Sequence, residues 1–82
     1  MKNMKYKIFD EANKPGRLKV GDKLISLEDS EANGIIKDEI YTFLKFERGI
    51  GIIYAKRLTD DSVVGVFPHR LASLVSLKKK IG

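Results

Sequence analysis

Short apolar runs separated by turn residues follow one another along the chain, and no window shows a sustained helical period. The clearest run covers residues 40–47, where β-branched and aromatic residues alternate between two faces: Ile40, Thr42, Leu44 and Phe46 on one, Tyr41, Phe43, Lys45 and Glu47 on the other. This period of two predicts a strand. Similar runs predict strands at 23–27, 52–58, 63–67 and 74–77, and a short edge strand within residues 1–10.

Turn residues divide these runs at regular intervals. Pro15-Gly16 and Val20-Gly21-Asp22 are typical of bends, and residues 28–34 form a polar loop that Asn33-Gly34 can end with positive φ. Two hairpin turns are predicted at 48–51 and 59–62. Pro68 removes a donor from the sheet, so it ends its strand and leaves room for one 3₁₀ turn through Leu71. Five or six short strands with short turns predict an all-β domain, a small closed barrel or a sandwich.

Two motifs at opposite ends of the chain resemble the frame of an SH3-type barrel. The first is Val20-Gly21-Asp22, and the second runs from Gly65 through Phe67-Pro68 to Leu71. With Asp29-Ser30, residues 39–42 and Phe67-Pro68-His69-Arg70, they are similar to short SH3-like proteins that are common in bacteriophage genomes. The resemblance covers residues 17–77. It implies a single SH3-like barrel, preceded by an N-terminal strand or arm (1–16) and followed by a basic tail (78–82).

The resemblance does not extend to the peptide groove of SH3 domains. That groove recognises Pro-rich segments through several aromatic side chains, including tryptophan. This chain contains no tryptophan, and Leu71 occupies the position where tyrosine is usual. Recognition of PxxP peptides is therefore not expected, and the fold alone specifies no function.

Composition narrows the functional classes. The chain has 82 residues, of which 43% are hydrophobic and 33% charged, as is typical of one folded domain. It has no cysteine, so disulfides and thiolate metal sites are excluded. No apolar run approaches the roughly 20 residues of a membrane span, and the basic N-terminus leads into no apolar signal segment. These features predict a cytoplasmic protein, in the host cell if it is phage-encoded, without membrane association.

The net charge of +5 belongs mainly to the two ends. Six lysines lie at positions 2, 5, 7, 78, 79 and 80, and residues 8–77 hold ten basic and eleven acidic residues. Residues 28–47 include six acids. A nucleic-acid binder usually carries a basic stripe on its folded face. The near-neutral body therefore favours another kind of partner, although the terminal lysines could add salt-sensitive affinity for phosphates.

No catalytic constellation is evident in the sequence. His69 is the only histidine, and nothing places a nucleophile or a carboxylate beside it, so a surface or structural role is expected. One histidine without cysteine cannot close a zinc site. Aspartates such as Asp60-Asp61 are common in hairpin turns, where they accept hydrogen bonds from turn amides. The glycines of residues 48–51 are not followed by the helix and the Lys-Ser/Thr pair that a phosphate-binding loop requires. We expect no enzymatic activity and no cofactor.

The leading functional hypothesis is a phage-type accessory protein that binds a host or phage protein through its loops and one barrel face. In SH3-type barrels the loop after the second strand and the 3₁₀ turn flank the same groove. The candidate binding residues are accordingly Glu28, Asp29, Glu31, Phe67, His69 and Arg70.

Two alternatives remain open. A nucleic-acid-binding barrel would use a basic and aromatic face, for which the candidates are Arg48, Lys56, Arg57, Tyr41 and Tyr54. The same aromatic residues could instead pack in the core or at the barrel rim. A third possibility is a small oligomer that sequesters a nucleotide between its protomers.

Overall fold

The computed structural model describes residues 6–74, and within that range the chain is all-β and contains no α-helix. The same residues include 3₁₀ turns at Pro15–Arg17, Glu31–Asn33 and Pro68–Arg70. The all-β prediction is confirmed; the predicted basic tail lies outside the described residues. The described part of the chain has six strands: β1 (Tyr6–Ile8), β2 (Lys23–Ser26), β3 (Ile40–Glu47), β4 (Ile52–Arg57), β5 (Val63–Val66) and β6 (Leu71–Leu74).

The strands form one antiparallel sheet in the order β1-β6-β2-β3-β4-β5. β6 therefore lies between β1 and β2, with Ile8 opposite Ala72 on one side and Ser26 opposite Leu71 on the other. Among the described residues no ladder joins β1 to β5, so the sheet has two ends. The closed barrel predicted from the sequence is therefore not confirmed.

β3 begins and ends at the predicted residues, but its alternation does not continue to the end. A bulge shifts the register against β4 between Phe43 and Lys45. A bulge adds one residue to one strand, so the inward-facing side chains change there from odd-numbered to even-numbered positions. Tyr41 and Phe43 are buried, and the next residue packed against the core is Phe46 rather than Lys45. The predicted face for Phe46 was therefore wrong.

The last strand begins three residues earlier than predicted. Strand 74–77 was expected, whereas β6 is Leu71–Leu74, and residues 75–77 lie outside the described part of the chain. The Pro68–Arg70 turn occupies only three residues, so the chain re-enters the sheet at once. Leu71 and Ala72 are both fully buried there.

The inner faces of β2 to β6, with Ile35 from the loop after β2, form one apolar core. On it Phe43, Ala55 and Val64 lie in register across β3, β4 and β5. The buried hydrophobic residues are Leu24, Ile25, Ile35, Tyr41, Phe43, Ile53, Ala55, Val64, Val66, Leu71 and Ala72. No helix among residues 6–74 has both the length and the apolar character needed to span a membrane.

The predicted turns at Asn33-Gly34 and at 59–62 are present. Gly34 has φ of 75°, and the Cγ1 atom of Val64 lies 3.2 Å from the position that a Cβ atom on Gly34 would occupy. Both facts favour glycine at the point where the loop passes over β5. Asp61 in the second turn has φ of 61°, a conformation that aspartate tolerates better than most residues.

Candidate functional site

Loop 27–39 and the Pro68–Arg70 turn lie side by side, because each adjoins one end of the β2–β6 ladder. Ser26 pairs with Leu71, and the next residue, Leu27, donates its N–H to the Arg70 carbonyl at 2.9 Å. The guanidinium of Arg70 forms an ion pair with the Glu28 carboxylate. We call this combined area, loop 27–39 with Phe67 to Arg70, the loop–turn surface.

Ser26 fixes the base of the loop. Its side chain is fully buried and its hydroxyl donates to the Glu28 carbonyl at 2.7 Å. Its backbone N–H donates to Glu39, and its carbonyl accepts from Asp38, at 3.1 and 2.9 Å. One buried residue thus holds both ends of the loop. The carboxylate of Glu28 is consequently held beside Arg70 rather than left on a mobile segment.

Phe67 and His69 form a stacked aromatic pair on the loop–turn surface. Their ring centroids are 6.3 Å apart and the ring planes are inclined by 16°. Phe67 keeps 49% of its surface exposed although it follows the core strand β5, and His69 is exposed as predicted. Aromatic residues, phenylalanine included, are enriched in protein–protein interfaces, so the exposed part of this pair is a candidate contact for a partner.

Asp29 and Glu31 line a concavity of about 430 Å³, together with Gly34, Ile35, Ile36 and Arg57. Asp29 accepts the N–H of Lys37 at 2.9 Å, so its carboxylate also fixes the loop. Glu31 is exposed, and Ile36 exposes 46% of its surface. The concavity therefore offers an acidic rim and an apolar side chain.

Arg57 joins this concavity to the β4–β5 hairpin. Its guanidinium donates to the Gly34 carbonyl and to the Asp60 carboxylate, both at 2.9 Å. The neighbouring Tyr41 hydroxyl, and then Asp60, raise the pKa of Arg57 against the opposing effect of burial. Arg57 therefore stays charged and holds loop 27–39 against β4.

The candidate nucleic-acid residues do not converge on one face. Tyr41 is fully buried, and its hydroxyl accepts the Ile36 N–H at 3.2 Å, so no base can stack on its ring. Arg57 is engaged with Gly34 and Asp60. Lys56 and Tyr54 lie on the outer face of β4, and Arg48 packs against Gly16 instead.

Two features of the surface were not predicted from the sequence. Tyr54 lies across Gly65, and the Lys45 ammonium lies 5.6 Å from the centre of the Tyr54 ring. A groove of about 400 Å³ separates the Pro15–Arg17 turn from the β3–β4 hairpin and is lined by Lys14, Pro15, Gly16, Arg17, Phe46 and Arg48. The Pro15-Gly16 and Arg48-Gly49 turns were each recognised, but no local signal shows that they meet.

Comparison with protein-family models, with curated proteins and with solved structures finds no match to this chain. The similarity to bacteriophage SH3-like proteins therefore stays a prediction from its motifs. Within residues 6–74, no three histidine or carboxylate side chains come together as a metal site would require. His69 has Phe67 as its aromatic neighbour.

Proposed function

We propose that this chain is a non-enzymatic binding protein that recognises another protein through the loop–turn surface. The observation that carries the proposal is the pairing of Glu28 with Arg70, which joins loop 27–39 to the turn that follows the half-exposed Phe67. It unites residues from two distant parts of the sequence into one surface. That surface combines an aromatic anchor, a charged pair and a concavity, the usual components of a protein interface.

The concavity favours a partner segment of particular chemistry. Asp29 and Glu31 supply negative charge at its rim, and Ile36 supplies exposed apolar area. A complementary segment would place an apolar side chain against Ile36 and a lysine or arginine beside Glu31. Such complementarity contributes to specificity and to the association rate more than to affinity.

An SH3-like barrel and a bacteriophage accessory role belong to the same proposal. Support for the barrel comes from the run β6-β2-β3-β4-β5, from the bulged strand β3 that pairs on both sides, and from the 3₁₀ turn before β6. Support for the phage role comes from the motifs at Val20-Gly21-Asp22 and Phe67-Pro68-His69-Arg70 alone. The partner would then be a host or phage protein met in the host cytoplasm.

Affinity capture from bacterial lysate tests the proposal with one paired set of variants. Glu31→Lys combined with Ile36→Ser alters the concavity and leaves the core untouched. The matched control combines Glu11→Lys with Val20→Ser, which changes the same residue chemistry at exposed positions elsewhere. We expect the wild type and the control to recover the same protein and the test variant to lose it.

Two results would contradict the proposal. One is recovery of no protein above background by the wild type. The other is equal recovery by all three forms. Because every substituted side chain is exposed or largely so, circular dichroism should show the same fold in each form.

A nucleic-acid role has weaker support, since its five candidate residues lie in separate places. Oligonucleotide titration across a salt series checks it directly. Binding with a steep salt slope that is lost in Arg48→Ala or Lys56→Ala would favour that role. Absence of binding would leave protein recognition as the better explanation. A thermal shift with nucleotides would likewise test a nucleotide-sequestering oligomer.

A further inference from the structure

Strand β5 presents one side of its backbone away from the sheet. The Arg57 N–H donates to the Ser62 carbonyl at 2.7 Å, and the same register sets Ala55 opposite Val64 and Ile53 opposite Val66. Hydrogen-bonded and non-hydrogen-bonded pairs alternate in an antiparallel ladder. The backbone groups of Val64 and Val66 therefore point to β4. Those of Val63 and Gly65 point outward.

This outward side, which we call the β5 edge, has no backbone partner among residues 6–74. The N–H and carbonyl groups of Val63 and Gly65 form no backbone hydrogen bond with the described residues. The Phe67 N–H forms none either, and the Phe67 carbonyl accepts only the N–H of Arg70 within the turn. Val63 and Phe67 are 59% and 49% exposed, so described residues do not cover the edge.

The β5 edge is short, with four residues, but it lacks the charges and bulges that usually protect a sheet end. Natural sheets protect such strands with lysine, with bulges or with very short strands. β1, at the other end, has only three residues and carries Lys7 in its centre. β5 is uncharged from Val63 through Val66, and its ladder with β4 is regular.

We propose that β5 pairs antiparallel with β5 of a second copy of this chain, around a two-fold axis at Gly65. In this register Gly65 lies opposite the partner's Gly65, and Val63 lies opposite the partner's Phe67. Each of these pairs uses the outward backbone groups. Val63 and Phe67 lie on the same face as Gly65, because side chains alternate along a strand, so the two apolar side chains meet across the contact.

The apolar pattern favours a second copy over an unrelated strand, because Val63 and Phe67 lie symmetrically about Gly65 and one β5 edge therefore supplies both halves of the contact. The charges beside β5 do not oppose this pairing, since Asp60 is paired with Arg57 and Arg70 with Glu28. The remaining carboxylate, on Asp61, falls near the partner's His69 in this register. A two-fold axis produces each of these contacts twice. Pro68, which has no N–H, falls opposite the partner's Ser62. That pair is a non-hydrogen-bonded one in this register, so the ladder requires no N–H there.

The dimer goes beyond the proposed function but shares Phe67 and His69 with the loop–turn surface. The two experiments are nevertheless distinguishable, because the capture variants change Glu31 and Ile36 in the concavity, whereas the variants below change the β5 edge. The paired strand is short, so the contact belongs to the weak class of interfaces and calls for measurement at high protein concentration.

Sedimentation equilibrium tests the dimer. We expect the mass of the wild type to rise with concentration from 9.3 kDa towards twice that value. Val63→Lys places a charge on the β5 edge and should hold the mass at the monomer value. Ile50→Lys, at a position that is equally exposed but lies in the β3–β4 turn, should associate like the wild type. A wild-type mass that stays monomeric, or association that survives Val63→Lys, would overturn the proposal.

A cysteine pair tests the register. Opposed Cα atoms in a hydrogen-bonded pair lie about 5.5 Å apart, within disulfide range. Within one chain, residues 63 and 67 are roughly 13 Å apart along the strand and cannot join. The native chain has no cysteine. We expect Val63→Cys combined with Phe67→Cys to form a covalent dimer on oxidation, and Val63→Cys alone to remain unlinked. The reverse result would contradict a two-fold axis at Gly65.

Discussion

Gly65 is the position where a single methyl group gives the sharpest test of the packing on the outer face. A Cβ atom there would lie 2.8 Å from Cε1 and 3.1 Å from Cδ1 of Tyr54. Carbon atoms pack at about 3.5–4.0 Å, so Gly65→Ala forces the Tyr54 ring to move. That movement also weakens the contact between the ring and the Lys45 ammonium.

Two opposing contributions set the expected change in the free energy of unfolding. Inserting a methyl group into a packed site costs about 1–3 kcal/mol. Replacing a strand glycine with alanine recovers about 0.5–1 kcal/mol of backbone entropy. Because the Tyr54 ring is partly exposed and can yield, we expect a net loss of about 1 kcal/mol, which lowers Tm by about 4–8 °C in a domain of this size.

The double-mutant cycle isolates the contribution of the ring. In a Tyr54→Ala background no ring opposes the methyl group, and the remaining close contact is Cγ2 of Ile52 at 3.3 Å. There the backbone entropy gain of about 0.5–1 kcal/mol should offset most of the cost, so Gly65→Ala should be nearly neutral. Urea unfolding of the four proteins, at concentrations where the midpoint does not depend on concentration, measures this difference between the two backgrounds. Gly49→Ala, where a Cβ atom meets nothing within 4 Å, is the control. Equal changes for Gly65→Ala in both backgrounds would refute the reasoning.

Three further predictions follow from the core, a turn and a carboxylate. Ile53→Ala removes a fully buried side chain and should cost about 2–5 kcal/mol in urea unfolding. Gly21→Ala places a side chain at φ of 101° and should cost about 1–3 kcal/mol, whereas Gly49→Ala should be nearly neutral. Hydrogen bonds from the Ser62 hydroxyl, and then from the Ser62 N–H, lower the pKa of Asp60 below its ordinary value of 3.8. The ionised Asp60 therefore stabilises the fold at pH values above 3.8, and this stabilisation is lost as the pH falls through the lower pKa of the folded state. Ser62→Ala should raise the pKa of Asp60 in an NMR titration.

Local sequence patterns predicted well where the strands lie along the chain, but they predicted poorly how the strands pair and which faces point inward. Period-two alternation defined β3, and the turn residues at Asn33-Gly34 and 59–62 marked real turns. The bulge after Phe43 left no comparable signal, because it depends on how β3 coils between β2 and β4. The position of β6 was misjudged since the motif suggested a turn that continued through Leu71, whereas the turn ends at Arg70.

The candidate site could be predicted only in part for a similar reason. The ion pair joins Glu28 to Arg70 across 42 residues, a distance that no local spacing reveals. Both residues were nevertheless candidates, because the resemblance placed their two segments beside one groove. Alternation put Tyr41 and Phe43 on the same face but could not tell which face was inward. Tyr41 was consequently also considered for nucleic-acid stacking, although it belongs to the core.

The position of β6 between β1 and β2 has a consequence for the order in which the protein can fold during synthesis. Among the described strands β1 pairs only with β6, and Tyr6 lies opposite Leu74. β1 must therefore wait until β6 has been made, a delay of roughly 3–14 s at ordinary rates of translation. β2 to β5 can pair in the order of their synthesis. Nascent chains of which residues up to Arg70 have left the ribosome, but not yet Leu71, should accordingly contain a β2–β5 sheet whose β2 side is still open.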